Sequence, residues 1–197
     1  MAEPYRVAVL ASGGGSNLQA ILDACPAGSP AQVVLVLSNN PEAGALKRAR
    51  TAGVRAEVIA NPADGPALTA ALREAGASLV VLAGYLKLVP SGTVTAFVGQ
   101  MINIHPALLP AFGGPGMYGA RVHRAVLDAG TAVSGATVHL VSSDFDRGEI
   151  IAQRTVPVLP GDSPATLAAR VLAAEHQLLP EVVLAAAKAG RVVRLVT

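Results

Sequence analysis

Asn103 and His105 stand two residues apart in QMINIHPALLP (100–110), a stretch that is otherwise almost wholly apolar. An imidazole changes charge near neutral pH, and a carboxamide both donates and accepts hydrogen bonds. A lone histidine there could be a satisfied core residue. A second buried polar side chain beside it needs partners of its own, which shifts the reading toward a working site. A different chemistry is offered by ASGGGSNL (11–18). Its glycines let the backbone approach a ligand closely. Ser16 and Asn17 fall where the free N–H groups of a helix start point outward, an arrangement that suits an anion, most simply a phosphate. The alternative is an ordinary turn with a Ser cap. A Walker loop is excluded because no Gly-Lys-Ser/Thr is present, and G-x-G-x-x-G fails because Leu18 stands at the last glycine position.

Two further stretches carry carboxylates. SSDFDRG (142–148) reads first as a hairpin turn. A carboxylate from it, set beside His105, would raise the imidazole pKa and fix its tautomer. Glu175 shares a helical row with Leu172 and Leu179, so it sits either at the rim or against a ligand. His123 and His139 have no metal-ligand spacing with each other or with His105 and His176, and no metal is expected. Cys25 is the one cysteine, which excludes an intrachain disulfide, and nothing nearby would activate it.

The elements that must position these groups follow from the apolar pattern. Runs rich in Val, Ile and Leu at Arg6–Leu10, Val33–Ser38, Ala56–Ile59, Ser78–Ala83 and Met101–Ile104 read as strands, several of them buried on both faces. Helical segments alternate with them at Ser16–Ala24, Ala43–Ala52, Asp64–Ala75 and Ser91–Phe97. Repeated β-α-β implies a parallel sheet with right-handed crossovers. Gly113–Gly119 reads as loop and Val122–Ala129 as a short helix. Ala136–Val141 and Ile150–Val158 read as an antiparallel pair. A long helix is predicted from Ser163, a plausible N-cap followed by Pro164, through Leu179, with Pro180 kinking or ending it. The expectation is an α/β fold: a single Rossmann-like domain over 1–197, with a mostly parallel sheet flanked by helices and an antiparallel pair in the C-terminal third. Ligands of such sheets gather at the carboxyl ends of the strands. The loops after the first, fourth and fifth strands, including Gly84–Leu88, should meet there.

Composition removes other classes. Just over half the residues are apolar and 14% are charged, which suits a well-buried globular chain. Net charge is +2 with no basic run, and aromatics are 3%, so neither a nucleic-acid footprint nor a base-stacking surface is expected. The start, MAEPYRVAVLASGGG, reads as a first strand and not a signal peptide. No apolar run reaches the roughly 18 residues of a membrane helix. A cytoplasmic protein, monomeric or homodimeric, is the expectation.

Taken in order, SGGGSNLQAI (12–21), AGY (83–85), NIHPALLP (103–110), DRG (146–148) and EH (175–176) resemble the folate-dependent formyltransferases. The likeness covers nearly the whole chain, and the Ser-Asn-Leu-Gln-Ala-Ile helix start is more specific to the glycinamide ribonucleotide enzymes among them. The resemblance implies transfer of a formyl group from 10-formyltetrahydrofolate, a co-substrate, to the primary amine of glycinamide ribonucleotide, with no metal. It implies a ribonucleotide site at Gly15, Ser16, Asn17 and Glu175. It places the folate at Leu86, Lys87, Leu88, Val89 and Asn103, and the catalytic trio at Asn103, His105 and Asp146, with Asp146 raising the His105 pKa. Departures exist. Gly65-Pro66 stands where many relatives carry a basic residue, and Lys87 where Arg is frequent, which removes a bidentate fork. Gly113–Gly119 is expected to act as a mobile lid. The rival readings are a methionyl-tRNA formyltransferase, a formyltetrahydrofolate deformylase, and a non-catalytic nucleotide-binding module. The first two are not expected: relatives of the one carry an added C-terminal RNA-binding domain, for which no basic patch is seen, and relatives of the other an extra N-terminal regulatory domain.

Overall fold

A computed structural model describes residues 3–195. Seven strands form one sheet: β1 Tyr5–Leu10, β2 Ala31–Ser38, β3 Arg55–Val58, β4 Leu79–Leu82, β5 Met101–His105, β6 Val133–Leu140 and β7 Ile150–Pro157. Six helices connect or follow them: α1 Ser16–Ala24, α2 Gly44–Thr51, α3 Gly65–Glu74, α4 Ser91–Ala96, α5 Ala120–Asp128 and α6 Pro164–Ala189. The spatial order is β3-β2-β1-β4-β5-β6-β7. Pairs from β3 through β5 are parallel, whereas β5–β6 and β6–β7 are antiparallel. The expected fold class is the one found.

Strand residues alternate between two cores. Val7 and Val9 pack with Leu18 and Ile21 of α1 and Leu178 and Leu179 of α6. Ala8 and Leu10 pack with Leu68 and Leu72 of α3. Full burial of one such side chain contributes about 1.5–3 kcal/mol, which is why these strands carry no polar alternation. Strand order reverses between β1 and β4. The loops leaving those two strands therefore diverge to opposite faces and leave a crevice at their carboxyl ends.

Two expectations are corrected. The last helix does not end at Pro180; it runs on to Ala189 and stops at Gly190, whose φ of 68° suits a left-handed C-cap. Pro180 removes one backbone donor, but Val182, Val183 and Ala186 beyond it are buried in the same core as Leu167 and Val171 before it. Packing of that face holds both halves in one helix. The helix start is as expected: Ser163 Oγ accepts from Thr166 N, and Thr166 Oγ1 accepts from Ser163 N. β6 begins at Val133, ahead of the expected Ala136, because Ser134 and Gly135 pair with Val156 and Thr155 of β7. Gly135 has weak strand propensity, yet a Cβ there would collide with the Arg154 carbonyl.

Candidate active site

The loop after β1 is built by close approach. Gly15 caps α1 at φ 76°, without a side-chain cap, and a Cβ on it would lie 2.6 Å from Ala45 Cα. The first-turn amides of α1 are thus left free of any Ser cap. Ser12 ties this loop to the one after β4: its Oγ donates to Asn39 Oδ1 at 2.6 Å and accepts from Leu86 N at 2.9 Å. Asn17 points its Nδ2 at Glu175 Oε2 of α6, 2.7 Å away. Burial pushes the Glu175 carboxyl above its ordinary pKa, against the smaller downward effect of that hydrogen bond. The rim position for Glu175 is excluded, since it is 6% exposed.

The polar cluster at the end of β5 is denser than the sequence indicates. Asp146, in the turn before β7, brings its carboxylate 3.5 Å from His105 Nδ1, 3.4 Å from Asn103 Nδ2 and 3.4 Å from His139 Nε2. It also accepts from Gly114 N at 2.9 Å. Asp146 holds φ 55°, a left-handed conformation that Asp tolerates better than most residues. His139 is the partner of Asn103 across the β5–β6 ladder. Its Nδ1 donates to the Leu140 carbonyl at 2.8 Å, which leaves Nε2 to accept from Asn103 Nδ2 at 3.1 Å. The turn after His105 is pinned from β6 and β7. Thr137 Oγ1 donates to Ala107 O and accepts from Leu109 N, and Gln153 Nε2 donates to Leu109 O.

His105 Nε2 lies 2.8 Å from the Phe112 carbonyl, so it carries the ring proton and Nδ1 is the open nitrogen facing Asp146. Burial lowers the His105 pKa; the Asp146 charge and the Phe112 bond raise it by less, and the net direction is down. This corrects the expectation of a raised pKa. The carboxylate acts in the expected direction, but 3% exposure costs the cation more than the charge returns. For Asp146, burial pushes upward, while the neighbouring His139 and His105 rings and the Gly114 amide together outweigh it. The carboxyl stays below its usual range.

These groups border a cavity of about 360 Å³, lined by Asn17, Glu175, Asn103, His105 and Asp146 among others. Ser16 instead borders an adjoining groove with Gln19 and Arg48. Leu86 lines the 360 Å³ cavity, while Lys87, Leu88 and Val89 line a smaller cleft beside it. Asn103 and Asp146 stand in both walls, with Tyr85 and Phe145. Gly114, Gly116, Met117, Tyr118 and Gly119 of the glycine-rich loop also line the first of these cavities. Two histidines dismissed as metal ligands belong to this site: His139 through Asn103, and His123 of α5 through the cavity wall. Spacing along the chain gave no signal for either, since one depends on hairpin register and the other on helix packing. Among the described residues no group of three or more His, Cys, Asp or Glu is arranged to hold a metal ion.

The fold is thus a doubly wound sheet with a glycine loop at its switch point and an amide–imidazole–carboxylate cluster beside it. The chain belongs to the formyl transferase family, whose model matches residues 5–183. Some of its relatives within that family are trifunctional purine biosynthetic proteins, and several others are named phosphoribosylglycinamide formyltransferase. It is 47% identical over 191 residues to the chloroplastic one of Arabidopsis thaliana, covering 92% of this chain and 65% of that protein. It is 37% identical to that of Haemophilus influenzae, covering 90% and 85%. The crystal structure of glycinamide ribonucleotide transformylase 1 from Symbiobacterium toebii superposes with a TM-score of 0.89 at 42% identity, covering 100% of this chain and 96% of that one. The chain spans less than two thirds of the two plant relatives, 65% and 59%.

Proposed function

We propose that this chain, acting over 1–197 as one formyltransferase domain, moves the formyl group of 10-formyltetrahydrofolate to the primary amine of glycinamide ribonucleotide. The products are formylglycinamide ribonucleotide and tetrahydrofolate. The observation that carries this reading is the seam between the two cavities. Asn103 and Asp146 stand in the wall of both, with His105 Nδ1 3.5 Å from the carboxylate. The cavity lined by Asn17 and Glu175 suits the ribonucleotide. The cleft along Lys87, Leu88 and Val89 suits the folate, with Lys87 able to meet a carboxylate of its tail. The two reacting atoms then meet beside Asn103.

The chemistry follows from the side chains. A neutral amine attacks the formyl carbon, and the carbonyl oxygen becomes a tetrahedral oxyanion. The Asn103 amide N–H, held only loosely by Asp146 at 3.4 Å, is available to that oxygen; one such donor is worth about 10²–10³ in rate. Neutral His105 is ready to accept the proton leaving the nitrogen nucleophile, directly or through water. Nδ1 receives it, and the ionised Asp146 stabilises the imidazolium. Burial makes that cation short-lived, which favours its passing the proton to N10 of the departing folate. No covalent enzyme intermediate is needed, and alignment of the two substrates supplies much of the remaining acceleration. The cytoplasm and a monomer or homodimer are part of the same proposal. Among the described residues no helix is long and apolar enough to cross a membrane.

The test uses purified protein with 10-formyltetrahydrofolate and three acceptors in turn: glycinamide ribonucleotide, water alone and charged initiator tRNA. Folate product is followed by absorbance. Turnover that requires the ribonucleotide is expected. Equal turnover in water alone would make the protein a deformylase, and none with any acceptor would leave a binding module.

A further inference from the structure

His123 is 4% exposed and lines the cavity that holds His105 and Asp146, yet no hydrogen bond from the described residues reaches either ring nitrogen. Its Nδ1 is sealed from solvent; Nε2 is not among the sealed atoms. Buried polar side chains nearly always have a partner. An unpaired acceptor is less costly to bury than an unpaired N–H, so the proton belongs on Nε2, the nitrogen that keeps an opening. Burial, and then the charge of nearby His105, hold the ring's pKa below its ordinary value, so it remains a neutral donor. His123 shares its cavity with Asn17 and Glu175 and takes no part in the cleft along Lys87, Leu88 and Val89. The same cavity is lined by His105 and Asp146.

We propose that His123 is a binding residue for the acceptor ribonucleotide, its Nε2–H donating to an oxygen of that substrate. The inference rests on the functional reading above and adds a contact to its acceptor site. The oxygen is either the glycinamide carbonyl or a ribose hydroxyl, both neutral acceptors.

The experiment compares wild type with His123→Leu, His123→Gln and His123→Asn in steady-state kinetics, varying each substrate separately, with thermal melting alongside. For His123→Leu the KM for the ribonucleotide should rise about tenfold, the size of one lost neutral hydrogen bond, while the KM for the folate stays within about twofold. Gln places an amide N–H where Nε2–H stood and should recover most of the affinity; Asn is too short and should not. A deoxyribose acceptor separates the two oxygens: a penalty that persists on it assigns the bond to the carbonyl, and one that vanishes assigns it to the sugar. If His123→Leu does not fold, the Gln and Asn pair decides. A wild-type ribonucleotide KM in all three variants, or a folate KM that rises in step, overturns the inference alone. Absence of ribonucleotide-dependent turnover in the wild type would sink the functional reading, and this contact with it.

Discussion

Asp146 gathers His105, Asn103, His139 and the Gly114 amide around one carboxylate. Replacing it by Asn removes the charge and keeps the shape. Transfer should slow by about 10²–10⁴-fold, the range of a lost acid–base contribution. The pH profile carries the sharper sign. His105 must be neutral to act, and the Asp146 charge is what raises its pKa against burial. Without that charge the imidazole pKa falls further, so the acid limb of kcat/KM moves to lower pH in Asp146→Asn. A limb that stays or moves upward would contradict the proton role given to His105. Asn103→Ala should lower kcat by about 10²–10³, measured in the same assay. At this scale the sequence disclosed Asn103 and His105, because polar groups stand out in an apolar run. It concealed His139, whose place depends on Asn103 facing it across β5–β6. It also concealed the sign of the His105 shift, because burial is a property of the packed chain.

The elements show which parts of the site local sequence could specify. β1, β4 and β5 were legible as apolar runs because they are buried on both faces, and the loop after β1 because glycine has a distinct use there. The β6–β7 hairpin was legible as two strands but not in its register, which includes a shift between Val138 and His139. The continuation of α6 past Pro180 was not legible at all, since buried contacts made by the second half override a local stop signal. The turn carrying Asp146 offers a test at this scale. A Cβ on Gly148 would collide with the Leu140 carbonyl, two residues on from Asp146. Gly148→Ala must therefore push the turn away from β6. Overpacking of this kind costs about 1–3 kcal/mol, and a chain of this size loses about 2–4 °C in Tm for each. Melting temperature and kcat should fall together, because the displaced turn carries the carboxylate. Wild-type kcat in a destabilised Gly148→Ala protein would show that Asp146 need not sit where the fold holds it.

For the whole molecule, the buried site links stability to pH. His105 and His123 both have folded pKa values below the ordinary 6.5. Unfolding frees them to take up protons below that value while the folded chain resists. The stabilisation this gives is present above 6.5 and is lost as pH falls toward the folded values. Asp146, held below 3.8, extends the loss further into acid. Tm should decline as pH is lowered from 7 to 5, and His123→Gln should flatten the decline; calorimetry across that range checks both, and a Tm that rises on acidification would contradict the buried neutral imidazoles. The sheet order, with its crevice between β1 and β4, brings parts of the chain as distant as Asn17 and Glu175 within 2.7 Å. That convergence is what makes a two-substrate transfer possible in one domain. It is tested most directly by following isotope-labelled formyl from 10-formyltetrahydrofolate in a single turnover, by mass spectrometry of all products. The account predicts one label on the ribonucleotide for each tetrahydrofolate released, and almost none transferred by Asp146→Asn on the same time scale. Label recovered as free formate, or Asp146→Asn transferring it as fast as the wild type, would contradict it.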